Sequence, residues 1–273
     1  MSFKRGRRVA PILLSVAISW GCNSTSETGG GPASQPANAN AETAKKALRP
    51  DAEGFIPSGT GTEKEKPAPG AANVQGKALY NGQPAAGVEV KLCEKFNRFL
   101  GGCGGETFTA KTDAAGEYLI KDVPPGIYEG LIVKVFDTDY YVFATAGVVS
   151  SAKYRVEEGR TFFAPDTNLY KQDLKLTSPK AGSKVAPSSI EVKWEQYPDA
   201  AYYKLSVHAD NSSGAKTDYD YINRRVDGLS FPLDKPLAPG TYTVRVEAYN
   251  GADNRLSQSP NDIKFTVAGD AAK

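Results

Sequence analysis

The chain has 273 residues, enough for one or two domains of ordinary size. Its 14 Tyr, 11 Phe, single Met, 27 Gly and 18 Pro favour short strands punctuated by turns over long helices, so the expected fold class is all-β. The formal charge of +2 overstates the basic character, because Lys4, Arg5, Arg7 and Arg8 lie in a segment expected to be cleaved; without them 29 basic side chains stand against 31 acidic ones. Nothing in that balance offers the basic stripe that phosphate neutralisation requires, which argues against a nucleic-acid partner.

Residues 1–21 read as a signal peptide. Lys4, Arg5, Arg7 and Arg8 supply a positive start, and residues 9–20 form an apolar run of about a dozen, shorter than the roughly 20 needed to span a bilayer. The closing Gly21-Cys22 resembles the lipobox of bacterial lipoproteins. That resemblance implies a lipidated Cys22 and membrane attachment in the bacterial cell envelope, at the outer membrane or cell surface. Ser19 and Trp20 depart from the pattern, which has Leu and a small residue there; the alternative is an ordinary signal peptide in which the Cys is a coincidence. Residues 22–72 are mostly small and polar, with Leu48, Phe55 and Ile56 as the large apolar exceptions. Such a stretch is expected to be a disordered linker behind the lipidated Cys, with a reach of about 40 Å.

Residues 73–173 are expected to form a first β-sandwich. Val74, Gly76, Ala78 and Tyr80 alternate up to the turn Asn81-Gly82, and Val88, Val90 and Leu92 alternate with Glu89 and Lys91. Phe108 and Ala110 lead to a turn at Asp113 and Gly116, Tyr118 and Ile120 form a further strand, and Pro124-Pro125-Gly126 turns the chain into Ile127 and Tyr128. Residues 131–136 and 140–143 complete the set. Gly76, Gly82, Pro84, Gly87, Val88, Val90, Thr112-Asp113, Gly116, Tyr118, Pro124-Pro125-Gly126 and Tyr128 together resemble the carboxypeptidase regulatory-like domain over residues 73–145. The resemblance implies a prealbumin-like sandwich that serves as an accessory module without catalytic activity of its own. Asp113 reads as a turn residue bonding its own backbone, with Gly116 supplying positive φ.

An insert separates this chain from that pattern. It carries Cys93, Phe96, Arg98, Phe99 and Cys103 between Gly-rich flanks. Two Cys in an exported chain are expected to pair in an oxidising compartment, closing an 11-residue loop worth about 3 kcal/mol. A zinc site would need more ligands at closer spacing. The stapled loop would either present Phe96, Arg98 and Phe99 to a ligand or fold its rings back over the sandwich edge.

Residues 174–268 are expected to form a second sandwich, followed by a tail at 269–273. Ile190, Val192 and Trp194 alternate with Glu191 and Lys193; Tyr203, Leu205 and Val207 repeat the pattern, and Ile263, Phe265 and Val267 close it. Trp194 with Tyr197-Pro198, and Leu237, Pro239, Gly240, Tyr242, Val244, Val246, Ala248 and Asn250, resemble a fibronectin type III domain, one residue shorter before Tyr242. The sequence leaves open whether Tyr242 makes a tyrosine-corner bond or only packs.

The chemistry is sparse. His208, the single histidine, falls out of phase with Leu205 and Val207 and is expected in solvent beside Ser206. Asp137 with Asp139, and Asp218 with Asp220, lack the spacing of a calcium loop and read as solvated acids. No catalytic residue, metal or cofactor is expected, and the chain is not read as an enzyme. The favoured function is a surface binding module for an envelope polysaccharide or a surface protein, with Phe96, Arg98, Phe99, Tyr140, Tyr141, Tyr219 and Tyr221 as candidate contacts. The alternative is a structural spacer or assembly subunit without a ligand.

Overall fold

The computed structural model describes residues 50–97, 102–144, 152–187, 190–210, 213–260 and 263–269, all within one compact unit, Asn40–Lys273. The fold is all-β, and the described strands close around two separate apolar cores. Cys22, Arg98 and Phe99 lie outside the described residues, as does the tail beyond 269.

In the first sandwich the strand Ala72–Tyr80 is central to one sheet. It pairs antiparallel with Glu117–Val123 on one side and parallel with Thr161–Phe163 and Thr167–Leu169 on the other. The facing sheet runs Gly102–Lys111, Glu89–Asn97, Gly130–Lys134, Tyr141–Phe143 in spatial order. Strand alternation sends Val74 and Ala78 from one sheet, and Val90, Leu92, Leu131 and Val133 from the other, into a shared core with Tyr118, Tyr128 and Tyr154. Thus residues 153–169 supply strands to the first module.

The turn at Asp113 forms as its residue types dictate. The Asp113 carboxylate accepts from the backbone N–H groups of Ala115 and Glu117 at 2.9 and 3.0 Å. Gly116 sits at φ +73°, where a Cβ would lie 2.5 Å from the carbonyl oxygen of Ala78, so no other residue fits there without displacing the central strand.

One expectation fails from residue 50 onward. The stretch assigned to a disordered linker is instead laid along the first sandwich as a strap. Phe55–Ile56 pairs parallel with Lys153–Val156, and Ile56 is only 2% exposed in the core. Further along, Gly59 N–H donates to the Phe163 carbonyl, the Gln75 side chain bonds the backbone of Thr62 and Lys64, and Asn73 bonds the carbonyl of Glu65. Lys64 Nζ lies 2.8 Å from Glu117 and also bonds Asp113. Composition misjudged the strap because its stability comes from a partner surface. One buried Ile and a series of backbone bonds suffice when the sandwich supplies the rest of the contact.

The second sandwich opposes Leu176–Ser178, Glu191–Trp194 and Ser230–Pro232 with a larger sheet. That sheet is ordered Lys184–Val185, Lys264–Val267, Gly240–Tyr249, Tyr202–Ala209, Arg224–Val226, with Arg255–Gln258 also paired to Gly240–Tyr249. Trp194, 3% exposed, fills the centre with Val192, Leu205, Val207, Val244, Val246 and Phe265.

The two sandwiches are clamped together. The chain leaving Thr167–Leu169 runs directly along Arg255–Gln258: Lys171 N–H donates to the Leu256 carbonyl and Gln258 N–H to the Lys171 carbonyl, both at 2.9 Å. Asn168 Nδ2 donates to the Arg255 carbonyl at 3.0 Å, and the Arg255 guanidinium lies 3.9 Å from the centre of the Tyr170 ring. A second set of contacts joins the turns. Asn81 donates to Asp199 at 3.0 Å and accepts from Asn250 at 2.7 Å, and the Tyr80 and Tyr197 hydroxyls meet at 3.3 Å.

Candidate functional site

The five described candidates, Phe96, Tyr140, Tyr141, Tyr219 and Tyr221, do not converge on one surface. Cys93 and Cys103 are disulfide-bonded with Cα atoms 5.3 Å apart, tying together the neighbouring strands Glu89–Asn97 and Gly102–Lys111. Phe96, at the end of the first of these, is half-buried. Its ring packs edge-on against Phe143 at 5.0 Å and lies over Gly130, where a Cβ would approach to 3.0 Å. Phe96 therefore covers the outer face of the sheet and is withdrawn as a ligand contact. Tyr141 is likewise half-buried, with Lys91 Nζ donating to its hydroxyl at 3.3 Å and lying 5.4 Å from its ring centre.

Tyr140 and Tyr219 remain outward. Tyr140 is 49% exposed on a turn closed by Thr138, whose hydroxyl donates to the Val135 carbonyl at 2.6 Å. Asp137 and Asp139 in the same turn are exposed.

The Tyr219 region combines an exposed ring with a surface groove. A single 3₁₀ turn, Tyr219–Tyr221, is capped by Asp218, whose carboxylate accepts from Asp220 N–H at 3.0 Å. Tyr221 turns inward and is 2% exposed; its hydroxyl donates to Asp234 at 2.6 Å and accepts from Lys235 N–H at 2.8 Å. Burial raises the Tyr221 hydroxyl pKa, while the bond it donates holds the Asp234 carboxyl below its ordinary value. Tyr221 is accordingly a core anchor rather than a binding residue. By pinning the turn it forces Tyr219, two residues back on a three-residue repeat, to the outside with 83% of its surface exposed.

Tyr219 stands beside a groove of about 430 Å³ that Lys216, Thr217, Asp218, Pro236 and Ala238 also line. The groove floor is fixed from below by Tyr242, whose hydroxyl donates to the Ala238 carbonyl at 2.9 Å, a tyrosine corner spanning four residues. Lys235 Nζ lies 3.5 Å from Asp218 and also bonds Asp220, so one cation is shared between the two acids, and Asp220 in turn raises the Lys235 pKa.

A second aromatic surface on the same sandwich is closed to ligands. Tyr202 and Tyr249 stack at 5.2 Å, but Arg225 lies 4.0 Å from the Tyr202 ring centre and Lys204 4.3 Å from that of Tyr249. Their hydroxyls are held by Asp253 and Glu247 at 2.8 Å each. Desolvation, with the bond to Asp253 adding to it, pushes the Tyr202 hydroxyl up to about 12.

His208 is exposed, and desolvation with the charge of Arg245 lowers its pKa. Its expected neighbour Ser206 is in fact buried, because Asn223 folds over it and donates its N–H to the hydroxyl at 3.0 Å. Among the described residues there is no group of three or more His, Cys, Asp and Glu side chains placed to hold a metal ion, and no helix long and apolar enough to cross a membrane.

No family model matches the chain, and no curated protein matches it. Solved structures do. A leucine-rich repeat protein from Bacteroides thetaiotaomicron is 14% identical with a TM-score of 0.28, over 73% of this chain and 25% of that one. The fibronectin(III)-like modules of Clostridium thermocellum CbhA are 13% identical with a TM-score of 0.27, over 71% of this chain and 90% of theirs. The major pilin SpaD of Corynebacterium diphtheriae is 10% identical with a TM-score of 0.25, over 71% of this chain and 64% of that one. At TM-scores this low, the description of the two sandwiches rests on the strand pairing and cores given above.

Proposed function

We propose that this protein is a non-enzymatic cell-envelope lipoprotein, attached to the membrane through Cys22, whose second sandwich binds polysaccharide in the Tyr219 groove. The envelope location is supported by the signal-like start, the lipobox-like Gly21-Cys22 and the disulfide, which suits an oxidising compartment. The sequence resemblances to a carboxypeptidase regulatory-like domain and a fibronectin type III domain favour an accessory module over an enzyme. That His208 is the single histidine points the same way, because a serine triad or a His general base would have to use that exposed side chain.

The observation that carries the binding reading is the Tyr219 ring, 83% exposed at the rim of a groove with Lys216, Thr217 and Asp218 close by. A sugar ring has an apolar C–H face that stacks on an aromatic and hydroxyls that bond to flanking polar groups, and this groove offers both. A second reading, a spacer or assembly subunit, draws support from the clamp between the sandwiches, which would hold two modules at a fixed spacing.

Binding of the purified full chain to a panel of envelope polysaccharides tests the choice. Saturable binding weakened at least about tenfold by Tyr219→Ala, and unchanged by Tyr140→Ala, is expected. Wild-type protein that binds no glycan but captures a stoichiometric protein partner would replace this reading with the spacer.

A further inference from the structure

Most edge strands of the two sandwiches are short or guarded. Ser230–Pro232 ends in Pro, Arg224–Val226 is three residues long with two Arg, and Tyr141–Phe143 is also three residues long. Glu117–Val123 is longer, but Asp122 at φ +56° bends its end and Lys121 reaches to Glu65 of the strap.

Gly102–Lys111 differs from all of these. It is ten residues long and forms the outer edge of its sheet, and among the described residues it pairs with Glu89–Asn97 alone. Gly105 at φ +71° marks a break in its first half, whereas Glu106, Thr107, Phe108, Thr109, Ala110 and Lys111 run on without Pro or Gly. Thr107, Thr109 and Lys111 are exposed.

Backbone parity shows what this edge offers. Thr112 N–H donates inward to the Val88 carbonyl, and Glu106 N–H donates inward to the Glu94 side chain. Antiparallel pairing alternates, so residues of even number direct their N–H and C=O groups to the neighbouring strand, and Thr107, Thr109 and Lys111 direct theirs outward. Phe108 and Ala110 meanwhile point into the first core.

We propose that this edge pairs antiparallel with the same edge of a second copy of the chain, about a twofold axis through Thr109. A twofold pairing must match odd-numbered residues with odd-numbered ones. Centring on Thr109 sets Thr109 against itself and Thr107 against Lys111. It uses only the regular half of the strand and places no like charges opposite each other. Centring on Lys111 would oppose two ammonium groups, and centring on Phe108 would draw Gly105 into the ladder. Thr–Thr pairs suit a cross-strand position, and Phe108 would gain cover from the partner's Ala110.

Sedimentation of the full chain in a Cys22→Ser background, together with cross-linking of Thr109→Cys by a short bismaleimide, tests the pairing. A reversible monomer–dimer equilibrium is expected, with Thr109→Cys cross-linking to itself far faster than a control Ala252→Cys in an exposed loop. Thr109→Lys, which sets two ammonium groups at the axis without touching the backbone, should weaken the dimer at least about tenfold. Thr109→Pro should do the same, because it deletes an N–H that the inner ladder does not use. A wild-type protein that stays monomeric up to about 1 mM overturns the proposal, as does a dimer indifferent to Thr109→Lys. Strong amide protection of Thr107, Thr109 and Lys111 in a monomer would overturn it too, assigning the edge to another segment of the same chain.

Discussion

The two sandwiches solve one local problem identically and their larger problem differently. In the first, Pro124-Pro125-Gly126 leads to Tyr128, whose hydroxyl donates to the Pro124 carbonyl at 2.8 Å; in the second, Ala238-Pro239-Gly240 leads to Tyr242, bonded to the Ala238 carbonyl at 2.9 Å. The same turn yields the same four-residue corner in unrelated surroundings, so the motif is local. Closure of the cores is not. The second is built around Trp194, whereas the first, without a Trp among its core residues, recruits Ile56 from the strap and is stapled by Cys93–Cys103. The Trp194 core is closed by side chains from Leu174 to Val267, whereas the first core, built around Tyr118, Tyr128 and Tyr154, takes Ile56 from the strap to finish its edge.

Trp194→Ala should break the comparison most visibly. Removing this side chain is expected to cost the second sandwich about 3–5 kcal/mol. Denaturant unfolding followed by two probes should become biphasic, with the first sandwich keeping its midpoint. One shifted transition would instead mean that the clamp through Lys171, Leu256 and Gln258 makes the two modules a single cooperative unit.

A finer test compares three tyrosines. Tyr128→Phe and Tyr242→Phe should each lose about 1 kcal/mol, the worth of one hydrogen bond. Tyr118→Phe should lose nothing or gain slightly, because the Tyr118 hydroxyl is buried against Gly76 and has no bonding partner among the described residues. Burial accordingly raises its pKa. Equal losses at all three positions, read from denaturant midpoints, would show that the corner bond is not what the first two contribute.

The smallest effect concerns the strap. Lys64 holds the Asp113 carboxyl below its ordinary value, and Asp113 with Glu117 raises the Lys64 pKa. A depressed carboxyl pKa stabilises the folded form above the unfolded value near 3.9 and ceases to do so as pH falls through the folded value. A raised amine contributes below about 10.4 and fades as pH rises past its folded value. The difference in unfolding midpoint between wild type and Lys64→Met should therefore be flat through neutral pH and vanish in acid below the carboxylate range and again in strong base. A difference that persists in acid would assign the strap's attachment to its backbone bonds alone.

Much of this was legible from residue types that act over a few positions. Asp113 and Gly116 announce their turn because one carboxylate and one positive φ complete it. Val90, Leu92, Val192 and Trp194 announce their faces because strand side chains alternate. The Cys pair is readable because the chain has three Cys and only Cys93 and Cys103 lie close together in sequence. The aromatic contacts were harder to read, since a tyrosine in a loop has the same composition signal whether it points in or out. Tyr219 and Tyr221 are two residues apart, with Asp220 between them, and meet opposite fates because the 3₁₀ turn gives one of them Asp234 and the core and leaves the other in solvent.

By itself the sequence determined the all-β class, the turns and the inward faces, all of which follow from local backbone preferences and the two-residue strand repeat. Tertiary structure alone decided that residues 50–71 bind the first sandwich, that residues 168–174 join the second, and that Phe96 covers a sheet while Tyr219 stands over a groove. Those outcomes depend on surfaces supplied by other stretches of chain, as far apart as 87 residues between Asn168 and Arg255 and 105 between Ser58 and Phe163, and no local pattern records which surface will be there.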